Sequence, residues 1–501
     1  MLEYVFKKKD GSYVTNFILA ADSYKIGQCC QYPGDTAKIF SNMVPRKAWT
    51  SPEGVVIDEV CVVGPQIVAQ ILSNVIITDA MIDEAEIEIV EQGYDFPRKN
   101  WEYIRDLGYI PLQIRALKEG TVVPIGVPIM TIENTDDKCF WLTSYIESWA
   151  QDIVWEGTTV ASKMRILRKN VNLFCDITGV ENKDVVAEYM IHNFGYRGAG
   201  DGGQGGIIPS IAHALFFSGS DGTSTNRYIK KIFNTSKPYL SSVDASEHST
   251  MCANSDQFQN DFAAFEMGMG MLERAVKRAE KGIGIPVVAN VIDTYDDERF
   301  IKEFVIKNYN RICEIGGKYV CRPDSGNAIT KPIEVVKWLM HGLADRDESL
   351  IAINDDGYIS LPPNIGVIQG DGLRFDDFIK IIRLAVENKI SASNLCFGFG
   401  GGLTNGSGRD DFSFSMKATA RMTKDDVWVP MQKSPKSDPK KKSLAGLVST
   451  FMDSNGNYFA GPEETSVVDE SVTDQLITIY SHGIPSRVNF DQARSYARRG
   501  L

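Results

Sequence analysis

IPVVANVID at 285–293, GKYVCRPDSG at 317–326, NIGVIQGDG at 364–372 and NLCFGFGGG at 394–402 share one plan. Each is a short apolar run that ends abruptly in polar or glycine-rich residues. Between them, residues 296–315, 329–344 and 374–390 mix charged and apolar side chains as amphipathic helices do. Repetition of strand, polar turn and helix predicts a parallel β/α array, closed into a barrel or left open as a sheet. In either form the carboxyl ends of the strands face the variable loops and collect binding groups. Asp293, Arg322 with Asp324, Asp371 and the glycines 400–402 stand at those ends.

The pattern begins near residue 176. Before it, IPLQIRALKEGTVVPIGVPIMTI at 110–132 reads as short strands broken by Gly and Pro, an antiparallel α+β layer. Residues 139–170 are rich in Trp, Tyr, Leu and Ile with weak helical periodicity, which suits a buried helix or an oligomer contact. After 402 come SFSMKATARM, the basic loop KSPKSDPKKKS at 433–443, and an α+β tail. The expected division is an N-terminal α+β region over 1–175, a catalytic β/α barrel over 176–402, and a C-terminal region over 403–501 packing with the first.

A chain of 501 residues, 43% hydrophobic and 24% charged, can build a large core. A net charge of -12 gives no general attraction to nucleic acid or anionic membranes, so an anionic ligand needs a local patch of positive charge. The opening residues lack the form of a secretory signal, and no apolar stretch reaches spanning length. Nine cysteines without metal-site spacing read as reduced thiols. These features predict a soluble, cytoplasmic protein with neither nucleic-acid nor membrane partners.

Only five histidines occur, at 192, 213, 248, 341 and 482, and none forms HExxH. His248, in DASEHST beside Glu247, is suited to proton transfer or to attack on phosphorus, and equally to a structural role. Arg197, in HNFGYRGAGDGGQGG, adjoins glycines that permit close backbone approach to phosphate or make a tight turn. Arg322 and Asp324 suit phosphate and ribose or Mg-water respectively, or a plain ion pair. FGFGGGLTNGSGRD at 397–410 is not a Walker A loop, although its glycines can bare backbone donors to phosphate.

Taken in order, DSYK at 22–25, QYP at 31–33, FGYRG at 194–198, EHST at 247–250, RPDSGN at 322–327, IQGDG at 368–372 and FGFGGGL at 397–403 resemble the nicotinamide phosphoribosyltransferase family. The match runs over nearly the whole chain. It implies an irregular β/α barrel of the type II phosphoribosyltransferase kind with an added α+β layer from both chain ends. It also implies a Mg2+-dependent pentosyltransferase of NAD salvage that makes nicotinamide mononucleotide and diphosphate from nicotinamide and phosphoribosyl diphosphate, with ATP as coupled substrate. A homodimer with shared active sites belongs to the same expectation.

By the resemblance, the base lies between Phe194 and the Tyr24 ring of a second copy, with Asp22 and Arg322 shaping the pocket. Asp221, in FFSGSDGT, meets the carboxamide; a carboxylate there accepts an amide N–H and repels nicotinate. Arg197, Arg322, Asp324, Gly400, Gly401, Arg409, Ser415 and Lys417 fall on ribose and phosphate contacts. Lys433 and Lys441 fall at the phosphate end, on a loop that otherwise reads as a solvated hairpin. His248 is the histidine phosphorylated by ATP, accompanied by Glu247 and oriented by Asp293; the metal ligands stay unassigned. One departure is GAGDGGQGG after Arg197, richer in glycine than the family pattern.

Overall fold

The computed structural model describes residues 2–5, 15–201, 203–370, 372–437, 442–465 and 469–501. Asp371 and Lys441 lie outside the described residues.

Among the described residues, seven parallel strands follow one another around a ring in chain order. They are Ile191–Asn193, Gly219–Ser220, Asp244–Ala245, Val287–Val291, Lys318–Arg322, Ile365–Gln369 and Leu395–Phe399, the last pairing with the first. The remaining gap is bridged between Gly219 and Ser241. There the Ser220 N–H donates to the Ser241 carbonyl and the Ser241 N–H to that of Ser218, each at 2.9 Å. This is the irregular β/α barrel that the resemblance implies. All five residues of Ile365–Gln369 are buried, as expected of a parallel strand covered on both faces.

The helices expected over 329–344 and 374–390 are Lys331–Ala344 and Phe375–Glu387. The second buries Phe378, Ile379, Ile381, Ile382 and Ala385, a stripe at helical spacing, while Lys380 and Arg383 face outward. The stretch 296–315 differs: it is split into Asp297–Arg299, a π-helical turn Phe300–Ile306, and Tyr309–Ile315. Five of the seven residues in the wide turn are buried, among them Phe300 and Phe304, which meet Phe265. An α pitch would not bring that many to one face.

The second layer is an antiparallel sheet woven from both chain ends. Its order is Trp428–Pro430, Ser415–Thr423, Thr36–Val44, Met130–Asn134, Leu112–Ala116, Ile477–Ser481 and Ile484–Pro485. The helix Glu147–Ile177 joins this layer to the barrel, touching strand Ser415–Thr423 and, in a separate two-stranded sheet, Glu59–Cys61, as well as the helices Ile207–Ala214 and Phe375–Glu387. It comes in close at Gly157, where a Cβ would sit 2.9 Å from the Val63 carbonyl oxygen. Thr158 Oγ1 and Ser162 Oγ accept the backbone N–H groups of Val63 and Cys61 at 3.2 and 2.9 Å. The hydroxyls thereby satisfy donors that would otherwise be buried without a partner.

The amino end of the ring is tied by charge. Glu188 pairs with Arg168 at 3.3 Å, with Arg498 at 2.9 Å and with Arg494, and accepts the Ser218 hydroxyl at 2.5 Å. Arg494, in the terminal helix Phe490–Ala497, and Arg498 just beyond it thus fasten the last residues of the chain to the barrel.

Candidate active site

The carboxyl ends of the ring strands open onto a cavity of about 1530 Å³. Phe194, Arg197, Asp221, Glu247 and His248 line it, as do Arg322, Asp324, Gly400 and Gly401. Each stands at or just past the carboxyl end of a strand. Phe194 follows Ile191–Asn193, and its N–H donates to the Phe399 carbonyl at 2.8 Å. Its ring lies against Gly398, where a Cβ would come within 2.2 Å of it, so only glycine leaves room for the ring. Asp221 follows Gly219–Ser220 and accepts the Ser242 hydroxyl at 2.5 Å through Oδ1.

The two glycine loops meet. A Cβ on Gly198 would lie 2.7 Å from the Gly401 Cα, so Arg197 is held beside the Gly400–Gly401 turn. The glycine-rich run has a local cause as well. Asp201 accepts the N–H groups of Gln204, Gly205 and Gly206 at 3.1, 3.1 and 2.7 Å. Wrapping backbone around one carboxylate requires the positive φ of Gly203, Gly205 and Gly206 (92°, 80° and 63°).

His248 opens the helix His248–Ala253 with its side chain 44% exposed toward the cavity. Its Nε2 lies 3.3 Å from Oδ1 of Asp293, and its Nδ1 lies 3.7 Å from Oδ2 of Asp324. Asp293 is buried and its Oδ2 accepts the Asp324 N–H at 3.0 Å, which fixes the loop that carries Asp324, while its Oδ1 faces the imidazole without a hydrogen bond among the described residues. Glu247 turns instead toward its own helix: its carboxylate accepts the Ser249 hydroxyl and its N–H donates to Thr250 Oγ1 at 3.3 Å. Arg322 presents a buried Nε–H with no acceptor among the described residues. A cation so placed suits an anionic ligand.

Asp22, Tyr24, Arg409, Ser415, Lys417 and Lys433 do not line this cavity. Asp22 precedes the 3₁₀ helix Ser23–Cys30 and accepts the Ser148 hydroxyl at 2.5 Å, and the Tyr24 ring is 58% exposed. Lys25, which is buried, pairs with Glu147 at 2.5 Å; Lys417 stands 3.9 Å from the same carboxylate. Burial holds the Lys417 ammonium below its ordinary pKa, with Lys25, Arg46 and Lys433 adding like charge against the pull of Glu147. Ser415 is buried opposite Val44. Arg409 is exposed and reaches Asp410 at 3.0 Å. The Lys433 N–H donates to Ser443 Oγ at 2.9 Å. Lys25, Arg46, Lys417 and Lys433 thus gather around Glu147 as a basic patch on the α+β layer.

Sequence reasoning passed over Trp49, Glu53 and Lys163, which also line the cavity. Trp49 and Glu53 belong to the hairpin Trp49–Thr50/Val56–Ile57, and Lys163 to the long helix. Nothing in their local sequence sets them apart. Among the described residues no cluster of three or more His, Cys, Asp or Glu side chains stands ready to hold a metal, and no helix is long and apolar enough to cross a membrane.

Residues 189–483 match the nicotinate phosphoribosyltransferase (NAPRTase) family, and residues 16–114 match the nicotinamide phosphoribosyltransferase N-terminal domain. A nicotinamide phosphoribosyltransferase of Xanthomonas campestris is 30% identical, over 97% of this chain and 98% of its own length. One from Acinetobacter baylyi is 27% identical, over 89% and 90%. In fold, the chain is similar to the crystal structure of nicotinate-nucleotide pyrophosphorylase from Pyrococcus furiosus, with a TM-score of 0.58 at 14% identity over 98% of this chain and 97% of that one. It is equally similar to human nicotinic acid phosphoribosyltransferase, with a TM-score of 0.58 at 16% identity over 95% and 92%. With both family matches following the chain order of the α+β layer and the barrel, this chain belongs to the nicotinamide phosphoribosyltransferase-like family, type II phosphoribosyltransferases of NAD-related metabolism.

Proposed function

We propose that the chain transfers the phosphoribosyl group of 5-phosphoribosyl 1-diphosphate to nicotinamide, with ATP hydrolysis coupled through a phosphohistidine at His248. The reading rests on one observation: His248, between Asp293 and Asp324, shares a cavity with Phe194, Asp221 and an Arg322 Nε–H that has no acceptor among the described residues.

In the transfer, the bond from the ribose anomeric carbon to the diphosphate oxygen breaks and the pyridine nitrogen bonds to that carbon. The pyridine lone pair is already free, so no general base is required. Phe194 orients the flat ring, Asp221 accepts the carboxamide N–H, and Asp324 accepts a ribose hydroxyl. Arg197, Arg322 and the bare amides of Gly400 and Gly401 face the negative charge that develops on the leaving group. Mg2+ keeps several waters and binds through one or two carboxylates plus substrate phosphate, so Asp324, one of the carboxylates lining the cavity, would hold it. Bound there, it supplies charge neutralisation on diphosphate.

For the ATP step, a tautomer that directs Nε2–H at Asp293 leaves the lone pair on Nδ1 to attack the γ-phosphorus, with ADP departing. The basic patch on the α+β layer completes the site from a second copy: Tyr24 covers the base, Asp22 shapes its pocket, and Arg409, Ser415, Lys417 and Lys433 meet phosphate. Glu247 orders the helix that bears His248. Residues 176–402 thus carry the chemistry, and 1–175 with 403–501 supply the other copy's contribution.

Purified protein with phosphoribosyl diphosphate and Mg2+, offered nicotinamide or nicotinate with and without ATP, tests the proposal when the nucleotide is identified by mass. Nicotinamide mononucleotide with ATP stimulation is expected, and His248→Ala is expected to keep basal transfer while losing the stimulation. Nicotinate mononucleotide alone, or stimulation intact in a folded His248→Ala protein, sinks the corresponding assignment.

A further inference from the structure

Lys163 lines the same cavity from the middle of helix Glu147–Ile177. A lysine on the wall of a phosphate pocket would ordinarily be read as a phosphate ligand. Its surroundings argue otherwise. An ammonium carries three protons, and three acceptors surround this one: the Gly406 carbonyl at 3.1 Å, Ser407 Oγ at 3.1 Å and Asp411 Oδ2 at 2.7 Å. The Trp49 ring covers it with its centroid at 4.4 Å, and the side chain is 8% exposed. No donor is left for a phosphate oxygen.

The loop that it holds leads to Arg409. Asp411 Oδ2 also accepts the Gly408 N–H at 3.3 Å, while the Asp411 N–H donates to the Gly408 carbonyl at 3.1 Å. Arg409 therefore occupies a turn closed on both sides by Asp411. The Phe414 N–H donates to the Arg409 carbonyl at 3.2 Å, and Phe412 is fully buried. Beyond its own neighbour Asp410, the Arg409 guanidinium is exposed. The backbone is fixed, and the exposed cationic head pairs with Asp410, itself exposed.

We propose that Lys163 is a positioning residue: it latches residues 406–411 to the cavity wall and so sets where Arg409 presents its guanidinium, without itself touching the phosphates. The proposal rests on the phosphoribosyl-transfer reading for its kinetic consequence but not for the latch. Because a buried ammonium is costly without its carboxylate, Lys163 and Asp411 act as one unit. Removing either should give the same defect, and removing both should add nothing.

Kinetics and amide exchange test the two parts separately. In Lys163→Met and in Asp411→Asn, KM for phosphoribosyl diphosphate should rise about tenfold or more, with KM for the base held within about twofold. The double variant should be no worse than either single one. Equal rises in both KM values, or additive losses, overturn the proposal. Where Lys163→Met does not fold, Asp411→Asn and Ser407→Ala, both on the loop, carry the test. Hydrogen exchange across 405–411 should be about tenfold faster in the variants than in the parent protein. Unchanged exchange overturns the latch even if the parent transfers nothing. Fast exchange in the variants of a parent that makes no nucleotide upholds the latch and sinks only the transferase reading.

Discussion

At the amino end of the barrel Glu188 meets three arginines; at the carboxyl end His248 meets two aspartates, and Arg322 meets no carboxylate among the described residues. Burial alone would raise the Glu188 carboxyl, but Arg498 and Arg494, with the Ser218 hydroxyl, outweigh it and hold the group at about 2. Charge at that end is spent on holding the C-terminal helix to the ring. Charge at the other end lines a cavity, where a ligand can complete it. One fold keeps stability and chemistry at opposite ends of the same strands.

Four measurements would break or sharpen that contrast. Glu188→Ala leaves three arginines without their carboxylate and is expected to destabilise the fold by about 3–5 kcal/mol, read from denaturant unfolding. A loss below about 1 kcal/mol would remove the amino end's claim to stability. Asp324→Asn should do the reverse: roughly 10²–10³-fold slower transfer, with the unfolding midpoint unchanged or slightly raised as one uncompensated charge disappears. A large drop in midpoint would show that this carboxylate is structural after all.

Acid should attack the amino end. Between the ordinary value of 4.5 and about 2, native Glu188 binds fewer protons than it does in the unfolded chain. The stability it contributes is fully present above that window and is lost as pH falls through it, on the order of 3 kcal/mol in total. A Glu188→Gln protein should show a correspondingly flatter acid limb, and an identical limb would assign acid unfolding elsewhere. The smallest effect is expected at Asp221. Asp221→Asn should shift the ratio of nicotinamide to nicotinate turnover by about tenfold toward nicotinate, since an amide repels neither base. An unchanged ratio would put base selection on another residue.

How much of this was legible follows from element length. The strands expected within 285–293, 317–326, 364–372 and 394–402 are five residues long in each case, enough for an apolar run to stand out. Ile191–Asn193, Gly219–Ser220 and Asp244–Ala245 are two or three residues long and carry no periodicity; they exist because their neighbours in the ring offer hydrogen bonds. The motifs marked Phe194, Asp221 and His248 all the same, because loops at strand ends keep distinctive chemistry. Lys163 shows the opposite case. In sequence it is one more cation on a long helix, and its meaning comes from Asp411, some 250 residues away. The glycine-rich departure after Arg197 also became intelligible only in three dimensions, as a collar around the Asp201 carboxylate.

The pairing of Thr36–Val44 with Ser415–Thr423 bears on how the protein is made. Strand Thr36–Val44 can pair with Met130–Asn134 early, but its other edge waits for a partner encoded about 370 residues later. At roughly 5–20 residues per second, that edge stays open for about 20–75 s on the ribosome. The entire barrel is synthesised within the interval. A nascent chain of this protein thus carries a bare strand edge, the kind that templates aggregation, for most of its translation. Its yield in a cell should depend on elongation speed and on chaperone cover more than the stability of the finished fold would suggest.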